Sequence, residues 1–369
     1  MQLVQTPRDA LLKPLSTVAG IVERRHTLPI LANILVRKQA EKVSFIATDL
    51  EVQITTHADF GIGAESESLT VAARKLLDIL RALPDTVDVK LSTTGGKLAV
   101  QTGKSRFSLQ TLAATEFPTM TQPERWDVSL TLPRKTLKHL FNMAHFAMAQ
   151  QDIRYYLNGM LMVFEPGLLR AVATDGHRLA HSSTAVEGVL AKHEVIVPRK
   201  TVLEMQRLLD ESDEPVTIDV APGQIRFSFG HVELVSKLVE GKFPDFNRVI
   251  PSNYTRHFDV SREILQGCLQ RAAILTTDKF RSVRLQLGQH LLKISSTNAE
   301  QEEAQEEIDV DYAHEALDVG FNVSYLLDFL ANVKAETIRW SVMPDANASA
   351  LITLPDDESF KYVVMPMRI

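Results

Sequence analysis

Three stretches carry one pattern: FIATDLEVQI at 45–54, AVATDGHRLA at 171–180 and KISSTNAEQEE at 293–303. The first two share Ala-Thr-Asp after an apolar pair, and Thr48, Thr174 and Thr297 stand about 125 residues apart. Self-similarity at a fixed period decides the fold before any single element does. Working outward, VAARKLLDILRAL from Val71, VPRKTVLEMQRLL from Val197 and FNVSYLLDFLANV from Phe321 each read as a short strand entering an amphipathic helix. Glu-Phe-Pro at Phe117 and Lys-Phe-Pro at Phe243 close the first two units, 126 residues apart. Three units of about 123 residues account for all 369, and the expected domains are 1–125, 126–253 and 254–369.

Within each unit the apolar period changes in a fixed order. ALLKPLSTVAGIV from Ala10, TLKHLFNMAHFAM from Thr136 and EILQGCLQRAAIL from Glu263 have helical spacing. Short β-branched runs such as NILVRK, VSFIATD and VQITTHA follow, bounded by turn residues. Strands return after the second helix, with Gly95-Gly96 as a hairpin turn. The class is α+β, with two helices on about eight antiparallel strands in each repeat. Pro14 breaks the pattern, because it removes a helical hydrogen bond and should kink or delay the first helix.

A chain with 45% hydrophobic and 23% charged residues folds throughout. A single cysteine, Cys268, excludes an internal disulfide framework and any multi-cysteine zinc site. The N-terminus lacks a signal-peptide pattern and no run of 18 apolar residues is present, so the expected location is cytoplasmic, with no membrane partner. A catalytic reading finds little support. His177 and His181 are four apart but no HExxH accompanies them, and Asp175 beside His177 has no Gly-x-Ser-x-Gly element. GGKLAVQTGKS from Gly95 fails the phosphate-loop pattern because Leu98 stands where glycine is required, and Cys268 lies on a helix face suited to burial. A metal-independent hydrolase centred on Asp175 and His177 is the runner-up; a monomeric nucleic-acid scaffold is the third reading. No metal or cofactor is expected.

Charge is segregated by element type. The helical windows 8–25, 74–83, 134–150, 199–210, 262–279 and 324–334 hold seventeen Lys and Arg against eight Asp and Glu, a net of +9. The whole chain is -6, so the strands and loops net -15. Amphipathic helices carry charge on their solvent face in any case, but the basic excess recurs in five windows of six, and the third has no acid beside Arg134, Lys135 and Lys138. A shared polyanion explains the recurrence, with helices on a concave basic side and acidic strands outside. Two chains head to tail supply twelve helices. At roughly 10 Å between axes these give a circumference of about 120 Å, and subtracting a helix thickness leaves a hole of about 28 Å, room for duplex DNA.

LLKPLSTVAG, TLPILANILV, QDIRYYLNGM from Gln151, ATDGHRLA, VIVPRK from Val195, KFPDFNRVIP from Lys242, FNVSY and the terminal YVVMPMRI together resemble the bacterial DNA sliding clamp, the beta subunit of the replicative DNA polymerase III holoenzyme. The resemblance runs end to end. It implies a homodimeric ring that is not an enzyme, encircles duplex DNA through phosphate rather than base contacts, and tethers the polymerase. By position it implies DNA-facing roles for Arg25, Arg74, Lys75, Gln151, Tyr155, Tyr156, Arg199 and Lys200, with His26 standing where a compared relative has proline, so the choice between Arg24 and Arg25 stays open.

It also implies a groove for short peptides rich in Gln, Leu and Phe, carried by the replicative polymerase, the clamp loader, other polymerases and repair proteins. Its residues would be Leu157, Thr174, Gly176, His177, Arg178, Leu179, Pro244, Arg248, Val249, Asn322, Tyr325, Ser349, Val363, Met365, Pro366, Met367 and Arg368. Methionine suits such a wall, being flexible and polarizable. For the dimer seam it implies Phe107 and Leu109 on an edge strand facing Ile274 and Leu275 of the other copy, with Lys104 and Arg106 near the acids of AEQEEAQEEI from Ala299.

Overall fold

The computed structural model describes residues 1–23, 28–189, 191–251, 253–277 and 281–368. Its first repeat runs β1 (Gln2–Pro7), α1 (Arg8–Val18), β2 (Asn33–Gln39), β3 (Lys42–Thr48), β4 (Val52–Asp59), β5 (Ser66–Ala72), α2 (Ala73–Ala82), β6 (Asp88–Thr94), β7 (Lys97–Thr102) and β8 (Ser105–Ala113). The second keeps that order: β9 (Val128–Pro133), α3 (Arg134–Asn142), β10 (Gly159–Glu165), β11 (Leu168–Thr174), β12 (Arg178–Ala185), β13 (His193–Pro198), α4 (Arg199–Leu208), β14 (Pro215–Ala221), β15 (Gln224–Phe229) and β16 (Val232–Lys237). So does the third: β17 (Arg256–Ser261), α5 (Arg262–Ala273), β18 (Ser282–Gly288), β19 (Leu291–Thr297), β20 (Glu303–Asp309), β21 (Leu317–Asn322), α6 (Val323–Asn332), β22 (Thr337–Val342), β23 (Ala350–Leu354) and β24 (Asp357–Val364). Each repeat among the described residues thus has two α-helices and eight strands, all paired antiparallel.

The chain forms two compact units, one of Met1–Lys135 with Arg207–Leu238 and one of Thr136–Gln206 with Val239–Ile369. The first holds a twelve-stranded sheet in the order β1-β6-β7-β8-β5-β2-β3-β4-β16-β15-β14-β9. Its continuity rests on β4 and β16, paired from Val52↔Ser236 to Thr56↔Val232. The second holds an eight-stranded sheet, β13-β10-β11-β12-β24-β23-β22-β17, and a four-stranded one, β20-β19-β18-β21. There β12 and β24 join strands of different repeats, from Arg178↔Val364 to His181↔Lys361. Backbone pairing across repeats satisfies donors and acceptors that would otherwise be open strand edges.

Among the described residues each of the six α-helices follows its strand with no intervening loop. Leu11, Leu15 and Val18 of α1, and Leu76, Leu77 and Leu80 of α2, face the core at helical spacing. Pro14 does not delay α1, which starts at Arg8 and continues past it to Val18 before tightening into a 3-10 turn at Ala19–Ile21. The windows drawn to residues 25, 150 and 279 are too long, since α1, α3 and α5 end at Val18, Asn142 and Ala273. Gly95 and Gly96 have φ of 57° and 73°, as a two-residue hairpin turn with both central residues left-handed requires.

The helices as formed hold thirteen Lys and Arg against five Asp and Glu, so their basic excess survives at +8. Part of it is structural. Arg8, at the first position of α1, donates from Nε to Leu80 O at the end of α2, 2.8 Å away. Arg262, first in α5, donates in the same way to Ala335 O at 3.1 Å, just beyond the end of α6. A guanidinium at a helix C-terminus meets unpaired carbonyls and the negative end of the helix dipole. Arg134, first in α3, instead pairs with Asp210 at 3.1 Å and lies over the Phe229 ring, while Lys135 meets Asp213 at 2.6 Å. The absence of acids within α3 is therefore compensated by acids from the segment after α4.

In the second unit Phe329 of α6 is fully buried between Tyr362, with ring centroids 5.1 Å apart, and Phe360, at 5.8 Å. Phe329→Ala should lower stability by about 3–5 kcal/mol. Chemical denaturation of the full chain checks this, with the loss confined to the transition that involves the second unit.

Candidate functional site

The floor of the site is the rim of the second unit's core. Leu161, Val163, Val172, Leu179, Ile196 and Val363 of the eight-stranded sheet pack with Leu157, Phe243 and Phe246, and Tyr156, Val249 and Ile250 lie partly buried against them. Where this cluster reaches the surface it opens a cavity of about 220 Å³ with mainly apolar walls. Of the groove residues expected from sequence, ten line it: Leu157, Thr174, Gly176, His177, Arg178, Leu179, Pro244, Val249, Val363 and Met365.

The turn between β11 and β12 forms one wall. Thr174 Oγ1 donates to Arg178 O at 2.6 Å, and Asp175 Oδ1 accepts from the backbone of His177 at 2.9 Å and of Arg178 at 3.1 Å. Gly176 takes φ of 90°, and a Cβ there would come within 2.9 Å of the Arg154 guanidinium. The turn therefore needs glycine for both its backbone and its neighbour. Arg154 donates to Asp175 O at 3.1 Å and pairs with Asp152, whose carboxyl this contact lowers to about 2.

Arg178, one of the expected groove residues, has a side chain that is only 9% exposed. It meets Asp175 at 3.1 Å and Asp328 of α6 at 2.7 Å, and its guanidinium lies 4.4 Å from the centre of the Tyr325 ring. His177 stacks on the other part of this cluster, 6.5 Å from Tyr325. Both Asp175 oxygens are engaged by the turn and by Arg178, so no Asp175–His177 acid-base pair forms. His181 is buried on β12, with Nδ1 lacking a hydrogen-bond partner, and burial with Lys361 and Arg170 nearby holds its pKa down to about 4. Burial likewise raises the Cys268 thiol. Among the described residues no three His, Cys, Asp or Glu side chains gather as a metal site.

The C-terminal tail forms the opposite wall. Met365 N donates to His177 O at 2.9 Å and Met367 N to Gly320 O at 2.8 Å, so the tail bridges the two sheets of this unit. Ser349, Pro366, Met367 and Arg368 line a second cavity that shares Met365 with the first. Asn322 caps α6, accepting from Ser324 N at 2.9 Å, and Arg248 is 87% exposed and paired with Asp245, outside either cavity. Arg154, Phe243 and Phe246, which sequence reasoning did not name, also line the apolar cavity, as does Tyr156, which it assigned to DNA. The two phenylalanines flanking Pro244 in KFPDF carried the available signal, since apolar rings beside a proline in an otherwise polar loop need a surface to cover.

Of the other residues assigned to DNA, Arg74 and Lys75 are exposed on the first turn of α2, without an ion pair among the described residues. Gln151 is exposed with φ of 55°, and Tyr155 is 57% exposed. Lys200 is half-buried, as is Arg199, which donates to Met148 O at 3.3 Å. Arg24, Arg25 and His26 lie outside the described residues. At the expected seam, Phe107 and Leu109 are half-buried and alternate with exposed Arg106 and Ser108, Lys104 is exposed, Ile274 is 76% exposed and Leu275 is half-buried.

The three repeats match family models for the DNA polymerase III beta subunit: the N-terminal domain over residues 2–121, the central domain over 131–245 and the C-terminal domain over 247–368. The beta sliding clamp of Pseudomonas aeruginosa is 46% identical over 98% of both chains, and that of Escherichia coli K12 is 43% identical over 98% of both. A crystal structure of the P. aeruginosa clamp with a ligand superposes with a TM-score of 0.96 over 100% of each chain at 44% identity, and a Caulobacter crescentus clamp at 0.93 and 37%, again over 100% of each chain. The three-domain architecture defines a DNA polymerase clamp. The chain belongs to the DNA polymerase III beta subunit family, the beta sliding clamps.

The buried neutral His181 sets an acid sensitivity. Its folded pKa lies near 4 against an ordinary value of 6.5, so the unfolded chain binds the proton first and stability is lost as pH falls from 6.5 towards about 4. His181→Phe should flatten this part of the profile. Melting temperatures at pH 7, 5.5 and 4 for both chains check it, and an unchanged slope in the variant would assign the loss elsewhere.

Proposed function

We propose that two copies of this chain close head to tail into a ring that encircles duplex DNA and serves the replicative polymerase as a processivity factor in the bacterial cytoplasm. Each copy would contribute the domains 1–125, 126–253 and 254–369, and the ring would need no cofactor or metal and perform no catalysis. Two strand edges carry this reading. β8 pairs with β7 along Ser105–Gln110 but with β5 only at Thr111–Ala113, and β20 pairs only with β19 among the described residues. The first open edge presents Arg106, with Lys104 in the preceding turn; the second presents Glu303 and Glu307. Edges of opposite charge in one molecule favour pairing with a second copy in a single order. Glu306 is already held by Arg271 at 2.7 Å, which leaves Glu303 and Glu307 for the partner.

Helical cations would line the hole and hold phosphates weakly, Arg74 and Lys75 being the clearest of them, with Gln151, Tyr155, Arg199 and Lys200 contributed by the groove-bearing unit. Enclosure then replaces affinity. The apolar cavity bounded by the tail supports the second half of the reading, a groove for short peptides rich in Gln, Leu and Phe from polymerases, the clamp loader and repair proteins. A cavity with a flexible methionine and two phenylalanines in its walls accepts different apolar side chains.

The solution mass should be about 82 kDa, twice the chain's 41.2 kDa; a mass near that of one chain at micromolar concentration would remove the ring. Once loaded, the protein should stay on circular DNA at high salt and leave when the DNA is linearised, whereas a phosphate-binding scaffold is lost from both as salt rises. Deleting Met365 to Ile369 should abolish polymerase stimulation and leave the dimer mass unchanged, read by primer extension and light scattering on the same preparation.

A further inference from the structure

The joint between β4 and β16 in the first unit repeats the framework of the groove, 126 residues earlier in the chain. Thr48 Oγ1 donates to Val52 O at 2.9 Å, as Thr174 does to Arg178 O. Asp49 Oδ1 accepts from the backbone of Glu51 at 2.9 Å and of Val52 at 2.7 Å, as Asp175 does from His177 and Arg178. Lys237 N donates to Glu51 O at 2.9 Å, the bond that Met365 makes with His177. Leu50 keeps a φ of 77° in the place of Gly176, a conformation that strains any residue with a branched side chain. Leu35, Ile46 and Phe117 cluster just as their counterparts Leu161, Val172 and Phe243 do in the floor of the groove.

The walls differ. Gln53 stands in the place of Leu179, and its Oε1 accepts from Met120 N at 2.9 Å, a bond that leucine cannot make. Lys237 stands in the place of Met365 and pairs with Glu51 at 3.0 Å. The connector that follows Phe117 is then fastened across the sheet. Thr121 O accepts from Gln224 at 2.9 Å, Gln122 reaches Glu233 at 2.7 Å and Arg226 at 3.0 Å, and Asp127 N donates to Val220 O at 2.8 Å. The Arg226 guanidinium lies 4.5 Å from the centre of the Trp126 ring and is itself fixed by Asp219 at 2.8 Å. We infer that this joint is a closed counterpart of the groove, strapped shut by the chain's own connector, so that a chain which builds two such frameworks offers one peptide site. Gln53 and the Arg226–Trp126 stack are the fastenings. Releasing them bares an apolar floor of the kind that takes a peptide in the second unit.

Gln53→Leu combined with Gln122→Ala and Trp126→Ala cuts the strap and leaves the Arg226–Asp219 pair in place. Limited trypsin digestion of the full chain reads the strap at Arg125, which is exposed beside Trp126. Cleavage there should be about tenfold faster in the triple variant, because cutting follows the population of the released connector. Titration calorimetry with a synthetic peptide rich in Gln, Leu and Phe should count one site per chain in the parent and two in the variant. Should the triple variant lose its melting transition, Gln53→Leu alone, which installs the residue found at Leu179, carries both measurements. The count of sites rests on the groove reading, whereas the digestion does not. A peptide that fails to bind the parent refutes the groove, and the digestion alone then decides the strap. Unchanged cleavage at Arg125, two sites in the parent, or a released connector with still one site would each overturn the closed counterpart.

Discussion

Arg178 is the joint on which the site depends. Its backbone opens the β12–β24 ladder, which makes one sheet of strands from two repeats, and its side chain reaches Asp175 in the adjoining turn and Asp328 on α6. Tyr325 covers the guanidinium face. A buried cation without such partners costs several kcal/mol, so turn, helix and terminal strand must stay in place together. The tail then follows without further device, because Val364 is held opposite Arg178 and Met365 is delivered to His177 O. The cavity is thus the outer margin of a packed core, shaped by the same side chains that hold the unit together.

The repeated fold was legible because period and punctuation agree. Among the described residues, twenty-four strands and six α-helices fall in the order that the Ala-Thr-Asp stretches and the strand-to-helix segments imply, and Gly95-Gly96 turns where two adjacent glycines should. Pro14 misled, since a buried helix face anchored by Leu11, Leu15 and Val18 outweighs one missing hydrogen bond. The helix ends were drawn long for a related reason: apolar residues continue past Val18 and Asn142, and periodicity alone does not register that the chain has turned.

The site was legible in outline and less so in detail. Residue types showed that Arg178 and Arg134 are basic, but not that each has acids brought from distant segments, Asp328 and Asp210. Lys38 makes the same point: it is 1% exposed, with Nζ donating to Gly63 O at 2.8 Å and Glu65 O at 2.6 Å. Counting charge by element gives the sign of a surface; it cannot separate cations that face solvent from those that close a helix end or a loop. Arg8 and Arg262 belong to the second kind.

The direct passage from strand to helix at all six junctions has an evolutionary corollary. With no spacer between them, a helix inherits its heading from the twist of the strand before it, and an inserted residue would rotate its whole apolar stripe by about 100° away from the core. Length changes between relatives should therefore gather in the hairpin turns at the far ends of the strands and leave the strand-to-helix junctions invariant in length.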